Sequence, residues 1–407
     1  MSRFNVRLLG NASPDIFDFD NYNDDAVSIS SAGYVAGTVI PTFWKNRGAR
    51  WTPVEHWVDS GPSIGRAIND MGHVCGIKYG AGGEHAFLFN GTLQVIGAQF
   101  GFDRSDAFDM NNAGQIVLWG QKAGAGRAYR YNSQSAEPPS ELAVIQGHSN
   151  PVPRAINTQG HIVGESMLGD QKHLFAAGVD SVFDLGSLPG DGASVTDIND
   201  HDYVVGRRLF PGMNAPTAYL RSPGTAGTFQ NLDDGNLLSS EAMALNSVGD
   251  IVGWRNQLFA RRAFVRFASG PDAGQMIDLN DLIPPDSGWV LTAANDINAA
   301  QQIVGRGVFK GLNRAFELTP VSIKEKFGGP GAGGKPIADP LSLILSQAVY
   351  ADLTKGPPIP NDGPPAILET LRLMVQQMDP QQRREVRAHL GRLRVYAAAI
   401  EEVLSKI

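Results

Sequence analysis

Three carboxylates in this chain fall in one repeated position. Asp109, Asp197 and Asp296 each precede an apolar residue and an asparagine, in Asp-Met-Asn, Asp-Ile-Asn and Asp-Ile-Asn. One position earlier, Arg66 and Arg154 occur in two further copies of the same stretch. Carboxylates held at equal heights around an axis can move protons for a substrate or hold a cation. With guanidiniums beside them they can bind a polar ligand. The alternative is that each Asp accepts from its own turn or from a neighbouring backbone amide. Trp119 and Trp254 each follow a copy of the stretch by one residue. An exposed indole can stack on a sugar or anchor a partner; a covered one packs between repeats.

Other chemistry is sparse. His73 and His161 share one slot of the repeat, and His85 and His173 share another. Members of each pair lie two copies apart and cannot easily converge on one metal. The sequence has no His-Glu-x-x-His, Cys pair, Asp-x-Asp-x-Asp loop, Gly-x-Ser-x-Gly elbow or P-loop. Neither a metal, a cofactor nor a catalytic set is expected. Cys75 is the one cysteine, which excludes an internal disulfide and suits a small buried hydrophobe.

These residues hang on a nine-residue stretch that occurs seven times, for example Ile156-Asn157-Thr158-Gln159-Gly160-His161-Ile162-Val163-Gly164. Its second position falls at 30, 69, 111, 157, 199, 246 and 298. Six copies carry Asn there and the first carries Ser30. An Asn or Ser side chain bonds the backbone two residues on and starts a turn. Five copies carry Gly three residues later, where a bulged hairpin needs positive φ; Asp202 and Gln301 stand there in the others. A sustained period of this length indicates a propeller or a solenoid.

Each copy is followed by a strand centred on a small residue and an aromatic: Thr42-Phe43, Ala86-Phe87, Ala128-Tyr129, Leu174-Phe175, Ala218-Tyr219, Ala263-Phe264 and Ala315-Phe316. A last short strand follows in six: Trp57-Val58, Val95-Ile96, Val144-Ile145, Asp184-Leu185, Asn231-Leu232 and Asp278-Leu279. The seventh copy lacks it, while Asn5-Val6-Arg7-Leu8-Leu9-Gly10 supplies a match ahead of the first. A strand permuted to the N-terminus closes a ring and has no use in an open solenoid. The expected fold is all-β: a seven-bladed β-propeller of four-stranded blades over 1–320, closed by the N-terminal strand.

His85-Ala86-Phe87-Leu88-Phe89, the Ile-Asn-x-x-Gly-x-Ile-Val-Gly turn and Asp184-Leu185-Gly186 together resemble the HAF-repeat family, named for its His-Ala-Phe strand. The resemblance covers about residues 4–320. It implies a repeat fold and an extracellular setting, and it carries no catalytic residues. Arg127, Arg262 and Arg314 replace the family's His in three copies.

The chain has 407 residues with 47 Gly and 25 Pro, enough for one such array plus an appendage. A net charge of −7 gives no general attraction to nucleic acid. The N-terminus shows no signal-peptide pattern and no stretch is apolar enough to span a bilayer. The chain as written is expected to be cytoplasmic, or exported without an evident signal peptide. Residues 321–340 form a Gly/Pro-rich linker and 341–407 a small helical tail. In its last helix Val386, Leu390, Leu393, Ala397, Ile400, Leu404 and Ile407 alternate at spacings of 4 and 3, a narrow coiled-coil seam. A helical hairpin and a homo-oligomer both satisfy it. The expected function is a non-enzymatic binding or scaffold protein with a protein or glycan ligand on a propeller face. A hydrolase or lyase using the central funnel is the first alternative and a glycan-binding lectin the second.

Overall fold

The repeated turn closes a hairpin between the first two strands of every blade. In each asparagine copy the Oδ1 accepts backbone amides inside the turn, as Asn157 does from Gln159 N at 3.1 Å and His161 N at 2.9 Å. Ser30 Oγ accepts from Tyr34 N at 3.1 Å in the first copy. Gly160 has φ +84°, and the two departures adopt the same left-handed conformation, Asp202 at +60° and Gln301 at +59°.

The computed structural model describes residues 3–9, 25–39, 47–51, 56–58, 62–80, 82–135, 137–179, 181–233, 238–257 and 260–321. They form seven four-stranded antiparallel sheets. Six blades take their strands in chain order; the seventh adds Phe4–Leu8 outside Leu312–Pro320, with Leu8 opposite Phe316. The propeller is therefore closed by its N-terminal strand. The first strands are Asp25–Ile29, Ser63–Ile68, Arg104–Met110, His148–Ile156, Ser194–Ile198, Ser240–Leu245 and Trp289–Ile297. Each adjoins the next all the way round, so they are the innermost ring.

The small–aromatic alternation reflects how blades fill. Phe87, Phe175, Tyr219, Phe264 and Phe316 of the third strands are buried. Their rings lie over a glycine in the second strand: a Cβ on Gly164 would stand 2.5 Å from Phe175 Cζ. Blade 1 departs from expectation. Its third strand is Arg47–Trp51 rather than one centred on Thr42-Phe43, which lie outside the described residues.

The outermost strands also differ in place. Blade 2 ends on Leu93–Gln94 and blade 3 on Ser140–Glu141, ahead of the expected Val95-Ile96 and Val144-Ile145. Among the described residues, an apolar residue one or two positions after the outer strand is a plug between blades, not part of the strand, in six blades. Leu9, Ile96, Leu142, Leu188, Leu232 and Leu279 fill this role and are all buried. Ile96 opens a short helix, Ile96–Gln99, and Leu279 a 3-10 turn, Leu279–Leu282.

The propeller unit comprises Met1–Ala268 and Gly274–Pro320. Ser269–Ala273 and Val321–Ile407 make a second unit, of which only 269–273 and Val321 are described. The linker, the helical tail and its seam lie outside the described residues. Among those described, no helix is long and apolar enough to cross a membrane.

Candidate functional site

Every innermost strand carries a β-bulge just before the slot of the three carboxylates. The register shifts between Ala26/Ser28, Gly65/Ala67, Ala107/Asp109, Pro153/Ala155, Val195/Asp197, Ala242/Ala244 and Ala294/Asp296. A bulge re-aims a side chain and takes a backbone N–H out of the ladder. The bulged residues are Val27, Arg66, Phe108, Arg154, Thr196, Met243 and Asn295, and all are half-buried. Side chains at these positions reach the adjoining blade: Phe108 packs on the core between blades 3 and 4, and Thr196 Oγ1 and Asn295 Nδ2 donate to Ala242 O and Ala26 O of the following blade.

The carboxylates answer the freed amides. Asp109 Oδ1 accepts from its own Met110 N at 2.7 Å, and Oδ2 from Ile156 N of the next blade at 2.8 Å. Asp197 serves Ile198 N and Leu245 N, and Asp296 serves Ile297 N and Ile29 N, at 2.7–2.9 Å. A carboxylate has two oxygens, so one Asp satisfies two blades. This explains why Asp occupies blades 3, 5 and 7 while Ala155, Ala244 and Ser28 suffice in blades 4, 6 and 1. Seven is odd, and among the described residues no side chain serves Ile68 N of blade 2.

Burial pushes the Asp109 carboxyl up to about 7 against these two amides, and the Asp296 charge adds to the rise. Asp197 and Asp296 are raised too, chiefly by burial. Asp25, at the start of the first inner strand, rises to about 6 for the same reason despite Arg306 nearby.

The repeat asparagines form a second tie between blades. Their Nδ2 groups donate to the backbone carbonyl of the next copy, from Asn111 to Asn157, Asn199, Asn246, Asn298 and finally Ser30, at 3.0–3.2 Å. The chain breaks at Ser30, which has no amide, and at Asn69, whose buried Nδ2 has no partner among the described residues.

Arg66 and Arg154 do converge. Both guanidiniums lie over the ring of Phe108, at 5.2 and 5.1 Å from its centroid. Arg66 pairs with Asp106 through two hydrogen bonds of 2.9 and 2.7 Å. Arg154 lies 3.3 Å from Glu165, which Lys172 also approaches at 3.0 Å. Three neighbouring blades thus bring together cation, aromatic and cation, Arg66 paired with Asp106 and Arg154 sharing Glu165 with Lys172. Phe108 was not singled out by its residue type; its place at a bulge position was the available signal.

The two tryptophans are not brought together, and Trp254 offers no bare face. Trp254 is 5% exposed; its Nε1 donates to Glu241 at 3.1 Å, and Arg261 covers its ring at 3.5 Å. Trp119 is half-buried and lies so close over Gly126 that a Cβ there would meet the ring at 2.7 Å.

A fourth cluster escaped the sequence reasoning. In blade 4, His148 Nδ1 and Ser166 Oγ are 2.8 Å apart, and His173 Nδ1 is 2.9 and 3.0 Å from the two oxygens of Asp184. His173 and Asp184 were each in view as parts of repeated motifs. His148 belongs to no repeat slot, and only folding places it beside them.

No family model matches the chain, and no curated protein matches it by sequence. Likeness appears among solved structures. The β-propeller domain of the Trilobed protease from Pyrococcus furiosus, described as having an open velcro topology, superposes with TM-score 0.52 at 9% identity, over 74% of this chain and 94% of that one. TolB from Acinetobacter baumannii gives TM-score 0.39 at 12% identity, over 57% and 61%. At such identity the first likeness shows the β-propeller fold alone. This chain's ring is closed by strand pairing in its last blade.

Proposed function

We propose that this propeller is a non-enzymatic binding platform that holds a protein partner at the cluster of Arg66, Phe108 and Arg154. The observation that carries this reading is the pair of guanidiniums that both lie over one half-buried ring. Arginine and aromatic residues dominate the energetics of protein interfaces. Because Asp106 and Glu165 already pair with the arginines, the cluster presents alternating charge rather than a cationic patch. That pattern suits a polypeptide with mixed polar groups.

The hydrolase or lyase alternative loses its strongest residues. All six oxygens of Asp109, Asp197 and Asp296 already accept backbone amides. Of the two indoles the lectin alternative would use, Trp254 is covered. Multimerisation through the Val386–Ile407 seam would add avidity to a weak contact at the cluster.

The experiment is affinity capture of a partner with the full chain, followed by hydrogen exchange of the purified complex. Added protection over 63–68, 104–110 and 148–156 supports the reading. Protection confined to the outer strands, or turnover of a substrate abolished by Asp109→Asn in a folded protein, overturns it.

A further inference from the structure

We propose that His148, His173 and Asp184 form a divalent-metal site in blade 4, of the nitrogen–oxygen type that takes Zn2+. The site is independent of the cluster around Phe108 and does not rest on the binding reading above. The three residues come from the first, third and fourth strands of one blade. One ligand atom from each lies within 4.8 Å of the others.

The spacings suit a small tetrahedral ion. Metal–ligand bonds of about 2.0–2.2 Å place neighbouring donors roughly 3.3–3.5 Å apart. His173 Nδ1 stands 2.9 Å from Asp184 Oδ2, and His148 Nε2 stands 3.7 Å from the same oxygen. One distance must lengthen and the other shorten by a few tenths of an ångström. The 3.7 Å gap is too long for a hydrogen bond, so none joins His148 Nε2 directly to Asp184.

The surroundings prepare the ligands. Metal-bound histidine normally holds its second ring nitrogen with an outer partner. Ser166 Oγ, buried at 3% exposure, fills that role for His148 Nδ1 at 2.8 Å. The two imidazoles meet edge to face with centroids 5.3 Å apart, which fixes their planes. The His148 side chain is 3% exposed and that of Asp184 33%, so the cluster is closed behind and open at the carboxylate. That opening admits the ion and leaves room for water as a fourth ligand.

A plain cross-strand pair does not account for the cluster. Equivalent third-to-fourth-strand pairs are Arg127–Glu141, Thr217–Asn231 and Arg262–Asp278, none of which includes a histidine. Among these blades, blade 4 alone adds a third group from the inner strand, His148. His173 Nε2, on the far side of its ring from Asp184, has no partner among the described residues, so only His148 has its second nitrogen held. On binding, the metal takes the place of the proton that His173 Nδ1 shares with Asp184. That proton moves to Nε2, the tautomer an Nδ1-bound metal requires, so a neutral His173 gives up no net proton. Binding weakens as pH falls because protons compete for the imidazoles.

The test uses the full chain and two probes, Zn2+ by calorimetry and Co2+ by visible absorption. The expected result is one Zn2+ per chain, tetrahedral Co2+ bands, and at least tenfold weaker binding in His148→Gln and in Asp184→Asn. His85→Gln, at the equivalent slot of blade 2, should bind as the parent does. Should His173→Gln not fold, the Zn2+-induced rise in melting temperature, present in the parent and absent in His148→Gln, carries the same information. A parent that binds Zn2+ no tighter than millimolar, or variants with unchanged affinity, overturns the proposal.

Discussion

Replacing Asn199 with Ala removes one joint of the asparagine chain. Asn199 is 6% exposed. Its Oδ1 accepts from His201 N at 3.0 Å and Tyr203 N at 3.1 Å, and its Nδ2 donates to Asn246 O at 3.1 Å. Each bond contributes about 1 kcal/mol net, and an orphaned buried carbonyl adds to the loss. The turn amides can recruit water, so the expected total is about 2–3 kcal/mol. An unfolding entropy of about 2.1 cal/mol/K per residue over roughly 300 residues converts this to a fall of about 3–5 °C. Asn199→Ser is the informative companion. Serine keeps a turn bond, as Ser30 does with Tyr34 N at 3.1 Å, but cannot reach the next blade. It should lose about half as much. Differential scanning calorimetry of the parent and the two variants measures both steps. Equal melting temperatures for Asn199→Ala and the parent would refute the reasoning, because the joint would then carry no load.

Three further outcomes are expected. The raised pKa values of Asp109, Asp197, Asp296 and Asp25 mean that the folded state keeps protons which the unfolded chain releases above about pH 4. Their contribution to stability is present below that pH and lost as pH rises through about 7. The melting temperature of Asp109→Asn should therefore rise relative to the parent between about pH 4 and about pH 7, the range separating the two states' values, and a constant difference refutes the assignment. Deleting residues 1–9 exposes the edge of Leu312–Pro320 and should lower melting temperature and solubility together; a variant that melts like the parent contradicts closure by strand pairing. Light scattering of Leu390→Asp with Leu393→Asp should show the mass of one chain if the seam joins copies, and a parent already monomeric at micromolar concentration sinks that reading.

The features legible in the sequence were those written locally and repeated. The Asn turn, the glycine or its substitute at positive φ, and the aromatic opposite a second-strand glycine each recur, so one copy corroborates the next. The permuted strand at Phe4–Leu8 was legible by the same counting. Outer strands of two or three residues have no periodicity to read, and their following apolar plug resembles strand sequence; hence blades 2 and 3 were misplaced. The role of Asp109, Asp197 and Asp296 depends on a neighbouring blade's amide. Their alternation with small residues was nevertheless a readable sign, since a two-oxygen acceptor serves blades in pairs. Phe108 shares the repeat slot of Arg66 and Arg154 but not their charge, and His148 carried no sign, because a strand end puts it in place.

The central claim is that the cluster of Arg66, Phe108 and Arg154 binds and the three carboxylates only join blades. Titration of the captured partner into the parent and into Phe108→Ala, by calorimetry at one salt concentration, tests it most directly. Loss of a central aromatic anchor is worth about 2 kcal/mol or more, so the dissociation constant should rise about 30-fold while the melting temperature shows a folded propeller. An unchanged dissociation constant in a folded Phe108→Ala protein contradicts the claim.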